Sequence, residues 1–168
     1  MSDRFPTQIR IGGAVKREVI PSLIDAINTE GLQDIWGNTL PTIKSEESLL
    51  EHVEEGHLIF RDDDRSWGEF PELEEFLVEK KIAFNRYHSP RYETSGELVQ
   101  FRPGMDAPVS ALANDSAVIL IEAQDVQRIR DMLRTSDWPE DTVKIMKELD
   151  DLCFEADIAP LPVLEIID

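Results

Sequence analysis

Arginine and tyrosine side chains concentrate between Lys80 and Pro103, where they offer the clearest binding chemistry in the sequence. This window holds five basic residues against two acidic ones, although the whole chain carries a net charge of −18. Guanidinium groups bind carboxylates and phosphates through paired hydrogen bonds, and tyrosine adds a large contact area with a polar tip. We therefore predict a contact surface for a protein partner or a small anion. Its residues are Arg86, Tyr87, His88, Arg91, Tyr92 and Arg102.

The same window also fits an ordinary β-hairpin with no binding role. In that interpretation Phe84 and Phe101 belong to the core, and Lys80 and Lys81 complement the negative end of the preceding helix. Replacing Arg86 and Arg91 with alanine distinguishes the two interpretations, because an unchanged affinity for a partner or ligand would exclude the contact surface.

Three consecutive aspartates, residues 62–64, follow a short apolar segment and precede a predicted helix. Carboxylate oxygens are the ligands that Mg²⁺ and Ca²⁺ prefer, and ligands often bind beyond the carboxyl ends of strands. A metal site at Asp62 and Asp64, with His88 as proton carrier, would make the protein a small metal-dependent hydrolase. The alternative is a polar strand-to-helix loop in which one aspartate caps the next turn. No other cofactor is predicted.

A phosphate site is a further hypothesis at Gly12 and Gly13, which are followed by Lys16 and Arg17. Free backbone N–H groups at a helix start, with cations nearby, can hold a phosphate. Neither the dinucleotide-binding glycine fingerprint nor the Walker pattern is present, and a tight turn explains the pair equally well.

No catalytic signature stands out in the chain. The three histidines are not spaced as zinc ligands, and there is no nucleophile elbow around a serine. We leave open whether the protein is an enzyme and favour a non-catalytic binding or regulatory domain.

The excess of carboxylates restricts the partners. Thirty-five acidic residues against 17 basic ones oppose direct contact with nucleic-acid backbone or anionic lipid, and are compatible with cationic partners. Rows of carboxylates on two helices give a third hypothesis, an acidic protein that imitates DNA.

We expect a soluble cytoplasmic protein, because the sequence shows neither a signal peptide nor an apolar stretch of membrane-spanning length. The oligomeric state stays open, and exposed tryptophans at Trp36, Trp67 or Trp138 would indicate an interface.

These candidates must be positioned by a single compact domain over residues 1–168. We predict an α+β (or α/β) fold, a mixed sheet of about five to six strands with helices packed on it. The hairpin joins strands at 82–88 and 97–102, and a parallel crossover leads from Leu58 to Phe84. Residues 117–122, the most continuous apolar run, are predicted to form a central strand that is buried on both faces.

Overall fold

The computed structural model describes residues 3–32, 38–91, 93–135, 141–153 and 158–168. Eight strands and five α-helices lie in these ranges, together with a short 3-10 helix at Arg17–Val19. The strands are β1 (Arg4–Gly12), β2 (Ala14–Lys16), β3 (Val53–Glu54), β4 (His57–Ser66), β5 (Ala83–His88), β6 (Gly96–Phe101), β7 (Val109–Ala113) and β8 (Glu165–Ile167). The helices are α1 (Ile20–Thr29), α2 (Glu46–Leu50), α3 (Pro71–Glu79), α4 (Ala123–Thr135) and α5 (Thr142–Cys153).

Six strands form one antiparallel sheet in the order β3-β4-β1-β5-β6-β7. β1 is central, with β4 and β5 both antiparallel to it. These two strands are therefore parallel to each other, with β1 between them and α3 connecting them. The predicted hairpin is confirmed, since β5 and β6 pair antiparallel. The remaining strands, β2 and β8, form a separate parallel pair.

The core lies between this sheet and the first helices. β1 alternates buried and outward residues, as a strand with one covered face does, and its buried side includes Ile9 and Ile11. α1 and α3 contact each other and contribute Leu23, Ile27 and Leu77 to the same cluster. The predicted single compact α+β domain is confirmed.

The sequence predicts a strand from His57 to Arg61 that ends before the three aspartates, and this boundary is wrong. β4 continues to Ser66, so Asp62, Asp63 and Asp64 lie within a strand and not in a loop. The strand continues because β1 continues beside it: Thr7 is paired with Asp62, and Arg4 with Ser66. A tertiary pairing thus overrides the weak strand preference of aspartate.

The prediction of a central strand at residues 117–122 is also wrong. This segment makes only an isolated bridge, from Ile119 to Ala113, and lies outside β7 at the edge of the sheet. Val118, Leu120 and Ile121 are exposed. An apolar run cannot by itself distinguish a buried strand from an uncovered edge, because the two differ only in what packs against them.

Some predictions concern residues outside the described ranges, namely those on Trp36, Tyr92 and Trp138. Among the described helices, none combines the length and the apolar character needed to cross a membrane.

Candidate functional site

Arg86, at the centre of the predicted contact surface, is buried inside the protein. Its side chain is 5% exposed, and its Nε lies 2.8 Å from Glu74 Oε1. Its Nη2 lies 2.9 Å from Glu97 Oε2, and its Nη1 donates to the carbonyl oxygen of Gly68 at 2.7 Å. The guanidinium group therefore joins α3, β6 and the turn after β4 from within.

The two carboxylates beside Arg86 have pKa values shifted in opposite directions. Burial raises the pKa of Glu74 above its ordinary value, and the nearby charge of Arg86 opposes this shift without cancelling it. For Glu97, burial also acts to raise the pKa, but the hydrogen bond from Ser110 and the charge of Arg86 outweigh it and lower the pKa. Ser110 and Arg86 together thus lower the pKa of Glu97, and Arg86 partly compensates the desolvation of Glu74.

His88 and Arg102, two more of the predicted binding residues, are buried as well. The His88 ring packs against Phe5 with 4.6 Å between the ring centroids. Arg102 donates to three backbone carbonyl oxygens, those of Phe84, Phe101 and Ala159. The expectation that the cations of this window form one exposed surface is corrected accordingly, because internal acceptors hold Arg86 and Arg102.

Tyr87 and Arg91 lie nearer the surface and also contact the protein's own backbone. The Tyr87 hydroxyl donates to the carbonyl oxygen of Asn114 at 2.9 Å, and Arg91 Nη1 donates to that of Arg4 at 2.6 Å. Tyr92 lies outside the described residues. In the described part of the hairpin, the side chains of the predicted binding residues therefore contact other parts of the same chain.

The aspartates of the predicted metal site are each held by an arginine. Asp62 is buried, with its Oδ2 3.7 Å from Arg65 Nη1, whereas Asp64 is exposed and pairs with Arg4 at 3.1 Å. They share a cavity of about 400 Å³ with Glu30, which also pairs with Arg65. His88 does not line this cavity. Within the described ranges, no group of three or more His, Cys, Asp or Glu residues is arranged to hold a metal ion.

The backbone at Gly12 and Gly13 is occupied by the C-terminal segment. The Gly13 N–H group donates to the carbonyl oxygens of Pro162 and Val163 at 3.0 and 3.1 Å. A Cβ atom at Gly12 would lie 2.0 Å from the Pro162 oxygen, so only glycine permits this approach. The structure accounts for the glycine pair by chain packing.

A surface that the sequence did not predict lies beyond β7. Eight of the eleven large apolar side chains exposed in the described ranges fall between residues 112 and 146. Four of them, Leu112, Val118, Leu120 and Ile121, form what we call the apolar edge. Leu112 and Leu120 are 45% and 47% exposed. The sequence signal for this surface is the apolar run at residues 117–122, which predicts a buried strand instead of an exposed edge.

A turn around Asn114 fixes the apolar edge against the sheet. The Asn114 side-chain oxygen accepts from the N–H groups of Ser116 and Val118, at 2.9 and 3.0 Å. The Leu120 N–H group then donates to the Leu112 carbonyl oxygen at 2.8 Å. The Tyr87 hydroxyl also donates to the Asn114 carbonyl oxygen, so the hairpin helps to fix this turn in place. The apolar side chains are thus presented by an ordered segment.

A groove of about 310 Å³ runs between the apolar edge and the two C-terminal helices. Its apolar lining comes from Leu112, Ile119, Leu120, Ile121 and Leu152. Three carboxylate side chains also line it: Glu122 and Asp125 at the start of α4, and Asp151 near the end of α5. The groove therefore combines an apolar lining with negative charge.

The helices beside the groove add further exposed apolar surface. α4 and α5 contact mainly each other and bury Ile129 and Ile145. Val126 and Met146 remain more than half exposed. Exposed apolar side chains are therefore present on these helices as well as on the apolar edge. Concentrations of exposed apolar surface mark binding sites more often than isolated exposed residues do.

No protein-family model, no curated protein and no solved structure matches this chain.

Proposed function

We propose that the protein is a non-catalytic binding domain that recognises a protein partner through the apolar edge and the groove beside it. The observation that carries the proposal is the concentration of exposed large apolar side chains around β7, the loop after it and α4–α5. Exposing these side chains to water is unfavourable by roughly 25 cal/mol for each Å² of apolar surface, and a bound partner would remove that surface from water.

The ordered backbone of the apolar edge also favours binding. Side chains on a segment that is already fixed lose less conformational freedom when a partner binds. The hydrogen bonds of Asn114 and the link from Leu120 to Leu112 supply that order. The hairpin at 83–101 then has a supporting role, through Tyr87, in place of the direct contact that its composition suggested.

Photo-crosslinking tests this proposal. We would place p-benzoylphenylalanine at position 120 or, as a matched control, at position 50, where Leu50 is 41% exposed on a different face. In the cells that produce the protein, we expect a discrete covalent adduct from position 120 and none from position 50.

The adduct must then be identified and the complex rebuilt from purified components. We expect Leu120→Ser to weaken that complex about tenfold or more, because a leucine buried at an interface is worth roughly 1.5–3 kcal/mol. Leu50→Ser should leave it unchanged. Equal adducts at both positions, or a complex insensitive to Leu120→Ser, would refute the proposed face.

A further inference from the structure

We infer that the partner of the groove presents a cationic amphipathic segment, with apolar side chains on the apolar edge and lysine or arginine side chains against Glu122, Asp125 and Asp151. This inference rests on the proposed function and adds the chemistry of the partner. Charge complementarity at the groove and the net charge of the whole chain support it.

The charges at the groove are arranged to attract cations. Glu122, Asp125 and Asp151 are brought together with the apolar lining, although Glu122 precedes α4, Asp125 lies in α4 and Asp151 lies in α5. Asp125 already makes one contact of this kind, since Arg128 Nη2 lies 3.2 Å from its Oδ1. A lysine or arginine side chain can place its apolar stem on leucine and isoleucine while its charged end reaches a rim carboxylate.

The position of Asp151 supports the same conclusion from helix electrostatics. Asp150 and Asp151 are in the last turn of α5, where the sequence places no basic residue. The C-terminal end of a helix carries a partial negative charge, so carboxylates there are unfavourable for the helix itself. Asp151, which lines the groove, therefore adds to the negative charge at this end of α5, and a cationic partner would offset it.

The charge of the whole chain argues against a second copy as the occupant. Each copy carries −18, so two copies approaching through this face would repel each other and bring their rim carboxylates together. A cationic segment is instead attracted at long range and then held by apolar contact.

The test uses the full-length protein and three labelled synthetic peptides of equal length, followed by fluorescence anisotropy. The peptides share one amphipathic pattern of leucines, and their polar positions are all lysine, all glutamine or all glutamate. We expect the lysine peptide to bind at least tenfold more tightly than the glutamine peptide, and the glutamate peptide to bind most weakly.

Two matched variants separate the groove from the general charge of the protein. Glu122→Gln/Asp125→Asn/Asp151→Asn removes three carboxylates at the groove, and Glu47→Gln/Glu51→Gln/Glu75→Gln removes three exposed carboxylates elsewhere. We expect the groove variant to weaken binding of the lysine peptide about tenfold. The control variant should change it less than twofold.

The outcomes distinguish this inference from the function on which it rests. If glutamine and lysine peptides bind equally, and Leu120→Ser weakens both while Leu50→Ser does not, the apolar face is a binding site and the cationic partner is refuted. Equal effects of the two triple variants would also overturn the inference, as would the absence of any peptide binding. Self-association in sedimentation velocity that Leu120→Ser abolishes would assign the face to a second copy.

Discussion

Arg86 is a residue of a type that often binds anionic ligands, but in this protein its partners belong to the protein itself. Its side chain reaches two carboxylates and a carbonyl oxygen that belong to three different parts of the chain. The composition of the hairpin drew attention to the right residues, but composition cannot tell whether an arginine points outward. That depends on partners such as Glu74 and Gly68, which lie at least 12 positions away in sequence and are brought near only by the fold.

Replacing Arg86 should therefore lower the stability of the protein markedly. We expect Arg86→Met to lower the free energy of unfolding by roughly 3–5 kcal/mol, because Glu74 would be left buried without its cation. Arg4→Met, at an exposed pair with Asp64, should cost no more than about 1 kcal/mol. Urea denaturation of the two variants measures both values. A loss at Arg86 as small as that at Arg4 would contradict the structural role.

The lowered pKa of Glu97 gives a pH-dependent contribution to stability. A carboxyl group whose pKa is lower in the folded protein stabilises it above the unfolded value, about 4.3, and loses this effect as pH falls through the folded value. We expect Glu97→Gln to be less stable than the wild type at pH 7. The difference should shrink as pH is lowered from 5 towards 3, because protonated glutamate resembles glutamine. Urea midpoints across this range measure it, and a constant difference would be inconsistent with the ionised contact.

At the scale of elements, the sequence predicts best where an element is defined by its own pattern. Alternation predicts a strand from Gln8 to Gly12, and an apolar stripe predicts a helix that starts near Ile20 and stops at Gly31. α1 is found there, whereas β1 ends as predicted but begins earlier, at Arg4. The predictions are wrong where the structure of a segment depends on the strand beside it. β4 extends through three aspartates because β1 pairs with Asp62, the first of them, and with Arg65 and Ser66 after them. Residues 117–122 make only the isolated bridge from Ile119 to Ala113.

The turn at Asn114 contains a residue in an unfavourable backbone conformation. Ala117 has a φ of +56°, in the left-handed region that costs an L-amino acid roughly 1–2 kcal/mol. We expect Ala117→Gly to stabilise the protein by about 0.5–1 kcal/mol, after the greater flexibility of glycine in the unfolded chain is deducted. Thermal unfolding measures this difference.

Ser116→Gly is the matched control for this turn, because Ser116 is adjacent and does not have a positive φ. It gains no relief from strain, so it should destabilise by about 0.4–1 kcal/mol through unfolded-state entropy alone. The same sign of effect at both positions would argue against the described turn.

At the scale of the whole molecule, the net charge of −18 opposes the compact state through self-repulsion. Monovalent salt shortens the range of this repulsion, from about 30 Å at 0.01 M to about 10 Å at 0.1 M. We therefore expect the melting temperature to rise by a few degrees over this range, with NaCl and KCl equivalent. A fall would mean that the surface ion pairs, which salt also screens, outweigh the repulsion.

The pairing of β2 with β8 has a consequence for the order of folding during synthesis. It joins Ala14 to Glu165, and Arg17 contacts Asp168 across 151 positions of sequence. The antiparallel sheet is built from residues 4–113, so it can assemble before residues 161–167 have been translated. The backbone beside Gly12 and Gly13 is then covered only after residues 161–167 have left the ribosome. This pairing should therefore be the late step in forming the fold, because it joins segments that are far apart in sequence.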